Sequence, residues 1–111
     1  INLSPFKWRK ALKEVKNIVK TSSADHPGTL VYEPIQAKGG VNIAPSGFVK
    51  GVVEHFKSRK AVTVCDESNT GFGRIGKEFW GHRWQNHTPD IVCIGSSLGN
   101  ESSLAAVITR R

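Results

Sequence analysis

The sequence predicts an α/β fold of about four mostly parallel strands with flanking helices, and three observations carry that expectation. Short apolar runs recur at residues 29–32, 61–65, 91–94 and 104–109. The first two end in acids, Glu33 and Asp66. Segments with helical apolar spacing stand before each of those two runs, which is the grammar of a strand–helix–strand sheet.

The elements follow in order. Ser4-Pro5, then Trp8, Leu12, Val15 and Val19, give a cap, a first-turn proline and a three-to-four spacing that predict a helix to about Lys20. Residues 21–28 are a polar break, and Thr-Leu-Val-Tyr at 29–32 is a strand stopped by Glu33-Pro34, because proline has no N–H for the ladder. Gly39-Gly40 to Pro45 reads as loop. Phe48, Val49, Val52, Val53 and Phe56 share one face of a second helix ending near Arg59. The run at 61–65 is continuously apolar, the pattern of a parallel strand covered on both faces. A long loop with one helical turn around residues 82–85 then leads to the strands at 91–94 and 104–109. The expected organisation is a basic helix and linker over residues 1–28 and an α/β unit over residues 29–111.

At 111 residues the chain is one domain or a piece of one. No apolar run approaches the ~20 residues of a membrane span. The net charge of +7 comes largely from Lys7, Arg9, Lys10, Lys13, Lys16 and Lys20, offset there only by Glu14. That concentration predicts a solvated helix face rather than a nucleic-acid surface. Cys65 and Cys93 each sit in an apolar run, as small buried residues, and two such cysteines make neither a disulfide framework nor a metal-ligand spacing; a reducing compartment is expected. The four histidines also lack ligand spacing and are expected at the surface, and Phe79, Trp80 and Trp84 read as core or interface aromatics.

Open parallel sheets bind ligands outside the carboxyl ends of their strands, which makes Asp66 the strongest candidate binding residue. The competing reading is that Asp66 and Glu67 cap or solvate a turn. Gly71-Phe-Gly73-Arg-Ile-Gly76 fits a dinucleotide-binding fingerprint in letters only: five residues separate it from the strand and no apolar helix follows it.

Val31-Tyr-Glu33-Pro34-Ile-Gln36, Gly39-Gly40, Asp66-Glu67, Thr70-Gly-Phe-Gly-Arg74, Gly76-Lys77, Phe79-Trp80-Gly81 and Pro89-Asp90-Ile-Val92, taken in succession, resemble the class-III aminotransferases, which use pyridoxal phosphate. The match in order and spacing runs over residues 30–109, and Phe79-Trp80-Gly81 is similar to the mitochondrial alanine–glyoxylate aminotransferase and phospholyase branch. The resemblance implies a fragment of the fold-type-I large (cofactor-binding) domain. It implies that Asp66 pairs with the pyridine nitrogen, while Ser68 and Asn69 stand where the family has an aliphatic residue against the ring and a glutamine near its phenolic oxygen. Ser96 stands where the family has its Schiff-base lysine. A hydroxyl forms no imine and is a poor base, so the implied protein is a partial or degenerate aminotransferase, without amino-group transfer from an amino acid to a 2-oxo acid by itself. The family's phosphate-binding loop and small domain correspond to stretches outside these residues, and cofactor binding by this chain unaided is not expected. The alternative is a non-catalytic piece that associates with an intact aminotransferase subunit. A mitochondrial location is implied by the same resemblance, with the cytoplasm as the other expectation, since no targeting segment is read at the N-terminus.

Overall fold

A computed structural model describes residues 7–22, 26–95, 98–100 and 102–110 of the chain. Helix α1 (Lys7–Ser22) and helix α2 (Phe48–Ser58) pack on each other. Trp8, Leu12, Val15 and Val19 line the inward side of α1, and its lysines and Arg9 are exposed, as the spacing predicts. The expected cap at Ser4-Pro5 lies outside the described residues. The two helices meet closely at Gly51, where a Cβ would stand 2.8 Å from Leu12 Cδ2.

The main sheet holds β1 (Thr29–Tyr32), β4 (Val62–Asp66), β5 (Ile91–Ile94) and β6 (Ala106–Thr109) in the order β1-β4-β5-β6. The first three are parallel and β6 runs antiparallel to β5. Helix α2 forms the crossover from β1 to β4, and the long connection from β4 to β5 contains one helical turn, α3 (Gly81–Trp84). The expected fold class is the observed one. A two-stranded antiparallel ribbon pairs β2 (Ile35–Gln36) with β3 (Asn42–Ile43), and β3 falls in the segment from Gly39 to Pro45 that the sequence reads as loop. Strands of two residues are too short for alternation to register.

Strand register separates the two faces of the sheet. Leu30, Tyr32, Thr63, Cys65, Val92 and Ile94 share one face, which α2 covers, and Thr63 and Cys65 there are fully buried. The other face carries Val31, Val62, Val64, Ile91, Cys93 and Val107. Among the described residues nothing covers it: Val31 and Val107 are each 68 % exposed and Val62 is 42 % exposed. This corrects the expectation of burial on both faces. The apolar run has the composition of a two-sided strand, while the described chain packs helices against one side. Cys65 and Cys93 are free thiols and sit on opposite faces, which fits the absence of a disulfide framework.

The amino-end side of the sheet is pinned by Asp90. Its Oδ2 accepts the Thr63 N–H (2.9 Å) and hydroxyl (2.6 Å), its own N–H donates to Thr63 O (2.9 Å), and Lys57 Nζ lies 3.2 Å from Oδ1. Those bonds tie β4, β5 and the end of α2 together.

Candidate functional site

Strand β4 delivers two acids to the carboxyl edge of the sheet, and alternation sends them in opposite directions. Asp66 belongs to the face of Val62 and Val64 and is half-buried. Its Oδ1 accepts the Ser68 N–H at 2.9 Å, a local turn that fixes the carboxylate at the strand end. Ser68 is partly covered and Asn69 is exposed. Gly95, just beyond β5, lies against Ser68: a Cβ there would stand 2.7 Å from Ser68 Oγ. The loops after β4 and β5 therefore meet beside Asp66. Ser96, the next residue, lies outside the described residues.

Glu67 points to the covered face and is fully buried. Its Oε2 accepts the Thr70 hydroxyl (2.6 Å) and the Gly81 N–H (2.9 Å). Its Oε1 takes the His82 N–H (2.8 Å), sits 2.9 Å from His82 Nδ1, and receives the Cys65 thiol at 3.7 Å. Burial alone would raise this carboxyl, but the hydrogen bonds from the His82 imidazole, the Thr70 hydroxyl and the two backbone N–H groups outweigh it and hold the pKa at about 2. Glu67 is thus an anion inside the protein. Burial, reinforced by that anion, pushes the Cys65 thiol well above its ordinary range and keeps it protonated. Burial does the same to the Tyr32 phenol, whose hydroxyl lies 2.5 Å from His87 Nε2. Burial pushes His87 in the other direction, below the ordinary imidazole range, so its Nε2 is free to accept from Tyr32.

The glycine-rich segment forms a tight turn. Gly73 N–H donates to Phe79 O at 2.9 Å, and Phe72, Phe79 and Trp80 pack ring on ring. No helix begins at Gly76, which removes the dinucleotide reading. His82, expected at the surface, is buried against Glu67, because the α3 turn carries it inward. Sequence reasoning missed Glu67 and His82 as a buried polar pair, and the half-buried Tyr32 beside His87. The one available signal was strand alternation, which places the residue after Asp66 on the core side.

A mostly parallel sheet with a fixed carboxylate at the carboxyl end of a central strand, beside a glycine-rich turn, is the architecture this chain shares with part of the large domain of solved fold-type-I pyridoxal-phosphate proteins. The profile of the class-III aminotransferases matches residues 5–111. Human mitochondrial alanine–glyoxylate aminotransferase 2 is 40 % identical over 98 residues, covering 88 % of this chain and 19 % of the relative. Ethanolamine-phosphate phospho-lyase homolog 1 of Caenorhabditis elegans is 35 % identical over 102 residues, covering 88 % of this chain and 22 % of the relative. The structure of an Arthrobacter phospholyase in complex with phosphoethanolamine superposes with a TM-score of 0.84 at 28 % identity, over 95 % of this chain and 25 % of that one. This chain belongs to the class-III aminotransferase family. It spans about a fifth of the length of the curated relatives it matches.

Proposed function

We propose that the chain is the ring-facing part of a class-III cofactor domain that marks the pyridoxal-phosphate site and does not transfer amino groups by itself. The observation that carries this reading is Asp66, fixed through Oδ1 by the Ser68 N–H at the carboxyl edge of the sheet, in a chain with serine at position 96. A carboxylate there fits the group on the ring side: it favours the protonated pyridine nitrogen, which gives the bound cofactor its capacity to accept carbanion electrons. Ser68 and Asn69 flank that ring position with small polar side chains. Ser96 offers a hydroxyl where covalent attachment and proton shuttling need an amine. The relatives' names point to an amino acid and a 2-oxo acid, or a phosphorylated amine, as the substrate class, and to the mitochondrion as the compartment.

The test is borohydride reduction of the purified chain with pyridoxal phosphate, followed by peptide mapping and an assay of alanine-to-glyoxylate transfer. Wild type is expected to show no turnover and no reducible attachment at position 96. Turnover by wild type overturns the reading.

A second reading, association with an intact aminotransferase subunit, is favoured by the uncovered valine face and by β1 and β6 standing at the two ends of the sheet. Co-elution with such a subunit in size-exclusion chromatography supports it. A monomer that passes the subunit by removes it.

A further inference from the structure

Behind the sheet edge, Cys65, Glu67 and His82 bring one donor atom each to within 4.8 Å of one another, and all three side chains are buried. Glu67 Oε1 lies 2.9 Å from His82 Nδ1 and 3.7 Å from Cys65 Sγ. The point in their plane equidistant from three atoms so separated lies about 2.4 Å or less from each, and an ion off that plane stands farther away, against ~2.3 Å for a zinc–sulfur bond and ~2.0–2.2 Å for bonds to nitrogen and oxygen. An ion seated close to that plane is within bonding reach of all three atoms.

The hydrogen bonds divide in the same sense. Gly81 N–H, Thr70 hydroxyl and His82 N–H fix the carboxylate and are not ligands. The two remaining contacts to Oε1 come from the imidazole and the thiol, the two groups that bind metals. Among the described residues the carboxylate has no lysine or arginine in ion-pair contact, its one such partner being His82. A buried anion of this kind is stabilised by a cation placed against it. Thiolate, imidazole and carboxylate together select a borderline-soft divalent ion over magnesium or calcium.

We propose that Cys65, Glu67 and His82 form a binding site for a zinc-class divalent cation, independent of the pyridoxal-phosphate reading. On binding, the Cys65 thiol releases its proton to solvent as the sulfur–metal bond forms, and His82 coordinates through Nδ1 while carrying its N–H on Nε2. Of the three, His82 also lines a cavity of about 400 Å³ with Trp80, Thr88, Pro89, Asp90 and Val92, while Cys65 and Glu67 lie outside that lining. Three protein donors leave one coordination position for water. The ion clips the end of β4 to α3 and so braces the loop that begins at Asp66.

Cobalt(II), added to the purified chain after chelator treatment, tests this directly. One equivalent is expected to produce a near-ultraviolet sulfur-to-cobalt absorption band, and zinc is expected to displace it. Cys65→Ala should abolish the band, His82→Gln should weaken cobalt binding by at least about tenfold, and Cys93→Ser, on the opposite face, should leave it unchanged. If Cys65→Ala fails to fold by circular dichroism, the wild-type spectrum and His82→Gln decide. No sulfur band in wild type, a band lost in Cys93→Ser, or cobalt affinity unaffected by His82→Gln overturns the site and leaves a hydrogen-bonded buried carboxylate.

Discussion

Replacing Glu67 by glutamine in the metal-free protein removes a buried negative charge while nearly preserving its shape. One oxygen becomes an NH2 group that must face donors: the Gly81 N–H and Thr70 hydroxyl on one side, or the His82 N–H and imidazole on the other. The folded carboxyl sits at about 2 against an ordinary 4.5, and the residue is 0 % exposed, so solvent screening does not reduce the effect. At ~1.36 kcal/mol per pKa unit, the ionised form contributes about 3 kcal/mol to folding at neutral pH. Urea unfolding at pH 7 with chelator present is the assay. With an m-value of ~1–3 kcal/mol per molar, the midpoint of Glu67→Gln should fall by about 1–3 M. The sign in acid follows from the depressed pKa. The contribution is complete above the unfolded value of 4.5 and is lost as pH falls toward about 2, so wild type should lose stability across that window and the variant should lose about 3 kcal/mol less. A variant within about 0.5 kcal/mol of wild type at pH 7, or parallel acid titrations of the two proteins, refutes the reasoning.

Two further predictions concern packing and the sheet's pinned end. Gly81→Ala should destabilise the fold by about 1–3 kcal/mol in thermal or urea melts, because the new Cβ would stand 2.8 Å from Pro34 Cβ and 2.9 Å from Glu67 Oε2, neither of which is the free end of a flexible side chain. Asp90→Ala should cost about 1–3 kcal/mol by leaving the Thr63 N–H without its partner. The Asp90 carboxyl is held below its usual range: burial opposes this, but the Thr63 hydroxyl and N–H and Lys57 outweigh it. Its contribution is therefore present above the ordinary carboxylate range and lost on acidification, and an acid melt of Asp90→Ala that parallels wild type argues against it.

Much of this architecture was legible residue by residue. Glu33-Pro34 marks the end of β1 in the sequence because proline ends a ladder, and the strand is found at Thr29–Tyr32. Ile91–Ile94 is equally plain, a short apolar run after Pro89-Asp90. Asp66 was visible as a strand-end acid. What stayed hidden depends on contacts between distant residues. Glu67 looks like a second solvated acid until Gly81 and His82, some fifteen positions on, turn back to donate to it. Four histidines without ligand spacing look alike, yet only a tertiary turn makes His82 a core residue. Val62 and Val64 carry the same letters whether or not a helix covers them, and composition could not tell a covered face from an open one.

That open face gives the molecule two unlike sides. The lysines of α1 sit beyond α2, on the far side of the sheet from Val31, Val62 and Val107. Captured on an anionic resin, the chain would be held by its basic helix with the valines turned outward and the β1 edge uncovered. A further copy arriving from solution would then meet that apolar face with its own. The +7 charge that keeps dilute chains apart in solution would, on such a support, orient them for sheet-to-sheet association.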